Sequence, residues 1–173
     1  VEIELILSDL ESVQRRLDRF TKSSKGGDKE AMFHRDVAAR LVAMFEEGHP
    51  ARSGEWSEEE QLSIRAAQLI TSKPVLYVCN VDETGLNESH PFVQKVRARA
   101  AGEGAGCVVI CGQVEAEISE LDPEDKEECL ADLGLSEPGL HRLARATFEL
   151  LGLNTYFTAG PKEIRAWTYR DGW

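Results

Sequence analysis

Lys73-Pro74-Val75-Leu76-Tyr77-Val78-Cys79-Asn80-Val81-Asp82-Glu83 is the stretch on which the reading of this chain turns. The apolar run Val75 to Cys79 follows a proline and stops at polar residues, as a short buried strand does. Its carboxyl end delivers Asn80, Asp82 and Glu83 to a loop. Ligands of open α/β sheets bind outside the carboxyl ends of the strands. An amide that both donates and accepts, with a carboxylate beyond it, can read a purine there. The same residue types also make ordinary turns, so the signal needs support from the rest of the chain.

Support comes from Cys107-Val108-Val109-Ile110-Cys111, a second wholly apolar run and a second candidate strand. Between the two, His90-Pro91 opens a helix with Pro91 at its first position and Phe92, Val93, Val96 and Ala100 apolar. Gly102, Gly104 and Gly106 close it. Strand, helix and strand within about 40 residues make a βαβ unit with parallel strands. Asn80–Glu83 and Gly112-Gln113 then share one edge of the sheet, which is what a nucleotide-base pocket needs.

Upstream, Ile3, Ile6, Leu10, Val13, Leu17 and Phe20 recur at alternating spacings of three and four. That is the a/d seam of a coiled coil, on a helix of roughly 35 Å. Gly26-Gly27 suits a left-handed cap and Asp28 can open the next helix. That second helix runs to about Glu47 with Phe33, Val37, Leu41, Met44 and Phe45 on one side. So short a break predicts a helical hairpin over residues 1–55. Ser57-Glu58-Glu59-Glu60 is a capping box that opens a third helix, expected to reach about Ile70.

Downstream, residues 113–137 read as two short helices, the second opened by Asp122-Pro123 and closed at Gly134. A final helix runs from about Pro138 to Leu151, with Leu140, Leu143, Ala144, Phe148 and Leu151 periodic. Asn154 to Thr158 and Glu163 to Tyr169 look extended, and the end at Trp173 looks like an unfinished strand or turn. The fold class is α/β: a coiled-coil helical hairpin followed by parallel strands with helices.

The net charge of −11 is unevenly spread. Residues 113–137 hold ten acids against Lys126, whereas Arg15, Arg16, Arg19, Lys22, Lys25 and Lys29 face only Asp18 and Asp28 in residues 15–29. A basic patch at the hairpin tip can meet phosphate, and it can equally be a solvated helix face. No apolar run approaches the ~20 residues of a membrane span, so no membrane partner is expected and a cytoplasmic location is. The four cysteines lack the spacing of a zinc site or a disulfide scaffold. Cys107 and Cys111 on one strand would sit about 13 Å apart, too far for one zinc ion to bridge. The four histidines are scattered, and no metal ligands are assigned.

The Lys73–Glu83 stretch is followed in order by Glu115-Ala116-Glu117-Ile118-Ser119-Glu120-Leu121 and Gly134-Leu135-Ser136-Glu137-Pro138-Gly139-Leu140. Then come Leu150-Leu151-Gly152-Leu153-Asn154-Thr155-Tyr156-Phe157-Thr158-Ala159-Gly160 and Lys162-Glu163-Ile164-Arg165-Ala166-Trp167-Thr168. With Lys25-Gly26-Gly27-Asp28 at the hairpin turn, these blocks resemble the Obg-like ATPase family of P-loop GTPase relatives over nearly the whole chain. The resemblance implies three parts. Residues 1–55 are similar to the family's antiparallel coiled-coil arm. Residues 56–160 are similar to the C-terminal half of its P-loop nucleotide-binding domain, and residues 161–173 to the start of its TGS domain.

The resemblance also implies chemistry. Asn80-Val81-Asp82-Glu83 stands where the usual GTPase motif Asn-Lys-x-Asp reads guanine. The family's Asn-x-x-Glu there goes with a preference for ATP over GTP. Asn80, Val81 and Glu83 are therefore the expected base-side residues, with Gly112 in the second base-contacting loop. The implied cofactor is ATP (or GTP) with Mg2+, and the implied partner is the ribosome or RNA at the basic hairpin tip. Pro161 stands where the family more often has a β-branched apolar residue, with only a local effect expected at that junction.

No Gly-x-x-x-x-Gly-Lys-[Ser/Thr] occurs in these residues, and no Asp-x-x-Gly segment at a strand end. The phosphate and metal site is thus expected outside this chain, which reads as a portion of a larger protein. No catalytic residue is assigned, and negligible hydrolysis is predicted for these residues alone. The alternative is a non-catalytic protein- or RNA-interaction module with a vestigial nucleotide half-site.

Overall fold

The computed structural model describes residues 1–87 and 90–170. The expected ending at Trp173 lies outside the described residues. The chain divides into two compact units, Val1–Pro74 and Val75–Trp173.

The first unit is helical. α1 (Glu2–Ser24) and α2 (Lys29–Glu46) are joined by a turn in which Gly27 takes a φ of +81°. Only glycine reaches that conformation without a Cβ penalty. Asp28 then caps α2, its carboxylate accepting the Glu30 and Ala31 N–H groups at 3.0 and 3.2 Å. The two helices pack through Ile6, Val13, Val37, Leu41 and Phe45. The seam is not the whole a/d series, because Ile3 stands 71% exposed while Asp9, a polar residue, is 3% exposed.

α3 (Glu58–Ala67) opens with the expected capping box, in which Ser57 and Glu60 exchange hydrogen bonds. It stops before Ile70 because Gln68 turns left-handed at φ 54°. The next N–H groups find Asp9 instead of the helix. Its Oδ1 accepts from Ile70 N and its Oδ2 from Thr71 N and the Thr71 hydroxyl, at 3.0, 2.7 and 2.7 Å. Ile64 and Leu69 join the same apolar cluster, so the first unit continues past residue 55 and takes in α3.

In the second unit β1 (Leu76–Asn80) and β2 (Gly106–Ile110) pair in parallel, from Leu76↔Gly106 to Asn80↔Ile110. α4 (Pro91–Gly102) is the crossover, with His90 as its cap and Pro91 at its start. Its Val93 and Ala100 are buried, as are Val108 and Val109 of β2. α5 (Gly112–Glu120) and α6 (Pro123–Asp132) follow, their apolar sides meeting at Val114, Ile118 and Leu130. α7 (Gly139–Leu150) leaves much of its apolar stripe exposed, including Leu140 and Phe148. β3 (Leu153–Ala159) and β4 (Ile164–Arg170) pair antiparallel around a turn at Gly160. The two expected extended segments therefore form one ladder across residue 160.

Candidate functional site

The carboxyl edge of the β1–β2 pair is built by continuing the ladder one step beyond the strands. Val81 N–H donates to Ile110 O at 2.9 Å. Gly112 N–H then donates to Asn80 Oδ1, also at 2.9 Å. This bond decides the orientation of the amide: its oxygen faces Gly112, and its NH2 is left to donate elsewhere. Gly112 is the first residue of α5, so the helix start lies directly beside the Asn80 amide.

The loop beyond is shaped by Asp82. Its Oδ1 accepts from the Thr84 hydroxyl at 2.8 Å and from Gly85 N–H at 2.9 Å. These bonds, the Thr84 hydroxyl first, hold its carboxyl below the ordinary carboxylate pKa. Gly85 is required there, since a Cβ would lie 2.7 Å from Val81 Cβ. The chain then enters a 3-10 turn, Glu83–Asn87, whose Leu86 is buried with Cys111 and Val114.

A cavity of about 370 Å3 opens beside this edge, with Asn80, Val81 and Asp82 on one wall and His90, Phe92 and Val93 on another. Its lining is mostly apolar. Deeper along β1, the Tyr77 hydroxyl donates to Glu103 Oε2 at 2.7 Å, and Arg99 Nε donates to the Tyr77 oxygen at 3.3 Å. The Glu103 bond is the main reason the Tyr77 phenol is pushed above its ordinary pKa.

Of the expected site residues, the structure brings Asn80, Val81 and Gly112 together. Glu83 does not line the Asn80 cavity; it faces a separate groove formed by α5 and α6. Gly112-Gln113 is not a loop but the opening of α5. Cys111 likewise leaves the strand to become the residue before that helix, so the neighbour of Cys107 is Cys79, with sulfurs 3.9 Å apart. Burial first, then the Cys79 contact, pushes the Cys107 thiol up.

Glu115 is a positioning residue that sequence reasoning missed. It is buried, and its two oxygens accept Gly139 N–H and Leu140 N–H at 2.6 and 3.1 Å, capping α7. The signal available in the sequence was an acid on an otherwise apolar stripe, Val114-Glu115-Ile118.

On the first unit, Lys22, Lys25 and Lys29 are exposed and have no ion pair among the described residues. Beside them Phe20 stacks on His34 at 5.1 Å, with the Arg19 guanidinium 4.8 Å over the Phe20 ring. Among the described residues no three His, Cys, Asp or Glu side chains are grouped to hold a metal ion. No helix of the described residues is long and apolar enough to cross a membrane.

No family model matches the chain. It is 45% identical over 174 residues to the ribosome-binding ATPase YchF of Bacillus subtilis, covering 99% of this chain and 48% of that protein. It is 46% identical over 172 residues to the ribosome-binding ATPase YchF of Haemophilus influenzae, covering 99% and 47%. The structure of the Schizosaccharomyces pombe YchF GTPase superposes with a TM-score of 0.87 at 25% identity, over 99% of this chain and 47% of that one. The chain spans about half the length of the curated relatives it matches. With helices, parallel strands and sequence all aligned over 99% of its length, the chain belongs to the Obg-like family of P-loop GTPase relatives that includes the YchF proteins.

Proposed function

We propose that this chain supplies the base-recognition edge and the helical arm of a nucleotide-binding protein that prefers ATP to GTP, hydrolyses it, and associates with ribosomes in the cytoplasm. The observation that carries the reading is the Asn80 amide. Its oxygen is engaged by Gly112 N–H, so its NH2 is the group available to donate to a purine ring nitrogen. In this reading Val81 packs at the base, beside the α5 start at Gly112. Glu83 acts through the turn it opens, since it faces away from the Asn80 cavity. Residues 1–55 form the antiparallel coiled-coil arm, 56–160 the second half of the nucleotide-binding domain, and 161–173 the first part of the TGS domain.

Mg2+ accompanies the nucleotide in P-loop proteins and would supply charge neutralisation at the phosphates. The described carboxylates near Asn80 do not fit it: Asp82 spends its Oδ1 on Thr84 and Gly85, and among the described residues no ligand cluster surrounds it. The metal and phosphate sites are assigned to residues other than those described. The ribosome contact is assigned to the arm's basic end, which carries exposed Lys22, Lys25 and Lys29 and the Arg19 guanidinium over the Phe20 ring of the Phe20–His34 stack. Cations beside a half-buried aromatic pair suit RNA through its phosphates.

Calorimetric titration with Mg-ATP and Mg-GTP, on the parent and on Asn80→Asp, tests the nucleotide reading. Tighter binding of ATP than GTP, lost in Asn80→Asp, is the expected result. Equal ATP binding by the variant overturns the role of Asn80. No binding of either nucleotide, with the phosphate-binding part of the protein joined to this chain, favours a non-catalytic interaction module.

A further inference from the structure

The groove between α5 and α6 is separate from the Asn80 cavity. It holds about 380 Å3 and is floored by Val114, Leu121, Cys129 and Leu133. Three of these, Val114, Cys129 and Leu133, belong to the apolar cluster beneath it. The rim is acidic: Glu83, Glu117, Asp125, Glu128 and Asp132. Asp125, Glu128 and Asp132 lie at i, i+3 and i+7 of α6, so they form one stripe about 10 Å long. Val114 and Glu117 lie three residues apart on α5 and Leu121 directly follows the helix, so one acid stands between two apolar floor residues in the chain.

All five acids are exposed, and none has an ion pair among the described residues. Glu117 only accepts a bond from Gln113 Nε2 at 3.1 Å. Two of the acids, moreover, stand where they are electrostatically disfavoured. Glu117 lies in the last turn of α5 and Asp132 ends α6, and carboxylates oppose the helix dipole at C-termini. Among the described residues no cation pairs with either acid. A ligand relieves both the repulsion and the wet apolar floor only if it places cations on either side of an apolar group. Nucleic acid is repelled by this rim, and a small cation leaves the floor in water.

We propose that this groove docks a basic protein segment in which lysine or arginine side chains flank one bulky apolar residue. The apolar side chain seats on Val114, Leu121 and Leu133. The cations pair with the α6 stripe on one wall and with Glu117 and Glu83 on the other. This inference does not depend on nucleotide binding, and the variants below leave Asn80–Glu83 untouched, so failure of either reading is distinguishable.

Fluorescence anisotropy with a labelled peptide of lysines and arginines flanking one leucine measures the contact, on the parent and on a combined E117Q, E128Q, D132N variant. Neutralising these exposed positions leaves the core intact and removes unfavourable helix-end charge, and circular dichroism checks the fold. The expected result is a loss of affinity of about tenfold or more in the variant, with binding weakened by salt. Replacing the peptide leucine by serine is expected to cost about tenfold as well. Unchanged binding by the variant, or equal binding of the serine peptide or of spermine, overturns the proposal. So does self-association of the chain lost in the variant with no peptide binding, which assigns the groove to a second copy.

Discussion

Asn80 Oδ1 accepts the Gly112 N–H at 2.9 Å, joining the last residue of β1 to the first residue of α5. The oxygen of the amide orders the sheet edge, while its NH2 is the group that the proposed function assigns to a ligand.

Two substitutions separate those tasks. Asn80→Ala removes the acceptor and is expected to cost about 1 kcal/mol in urea unfolding, the worth of an ordinary hydrogen bond. Asn80→Asp keeps an acceptor for Gly112, and its charge is favourable beside a helix start. Its unfolding midpoint is expected to match the parent while ATP binding is lost. A destabilised Asp variant would mean that the NH2 is engaged within the protein after all.

Asp9 is expected to be the most sensitive polar position of the first unit. Its carboxylate is buried and satisfies three donors from Ile70 and Thr71. Asp9→Ala strands those donors and should cost about 3 kcal/mol or more. Thr71→Val should cost less, about 1–2 kcal/mol, because only the hydroxyl bonds to Asp9 and Ala51 are lost. Chemical denaturation followed by the α-helical signal gives both numbers. Near-parent stability of Asp9→Ala would remove its anchoring role.

Two glycines at helix starts should respond differently to alanine. A Cβ on Gly139 would lie 2.6 Å from Glu115 Oε1 and 3.0 Å from Ile110 Cγ2. Glu115 is buried and holds two N–H groups, so it has little room to yield. Gly139→Ala is expected to destabilise by about 1–3 kcal/mol, as overpacking does. At Gly112 the nearest atom is Asn80 Oδ1 at 3.4 Å, an ordinary contact, and Gly112→Ala is expected to leave the melting temperature almost unchanged. Equal responses of the two positions in thermal melts would count against this geometry.

Acid should loosen the loop after β1 before it affects the sheet. The Thr84 hydroxyl and Gly85 N–H favour ionised Asp82, so its folded carboxyl titrates below its unfolded value. Stabilisation from these bonds is complete above the unfolded pKa and disappears as pH falls through the lowered folded one. Carbon-detected NMR of the Asp82 carboxyl is expected to give a midpoint below the ordinary ~3.9. Thr84→Val should raise it. A midpoint at or above the ordinary value would show that the turn bonds do not persist in solution.

Much of the fold could be read along the chain because the signals were local. Pro91 at a helix start, the Ser57–Glu60 capping box, the Asp28 cap and Gly27 between two helices each concern neighbours within a turn. Periodicity and the βαβ rule then sufficed for the parallel pairing of Leu76–Asn80 with Gly106–Ile110. Asn80, Val81 and Gly112 came together because parallel strands must place their carboxyl ends on one edge.

What remained was decided by contacts between distant residues. Asp9 lies on the buried side of α1 and bonds residues 61 and 62 positions away, so no window of sequence contains the pair. Glu115 caps a helix that starts 24 residues later, and Glu83 faces the α5–α6 groove instead of the Asn80 cavity. The orientation of the Asn80 amide depends on the Gly112 N–H, 32 residues away. The sequence by itself therefore determined the elements, their order and the sheet edge that carries the candidate site, because hydrophobic period and capping act over a few residues. Tertiary structure alone decided which polar groups are spent inside the protein and which are left for a ligand, because a hydrogen-bond partner is chosen by distance in space.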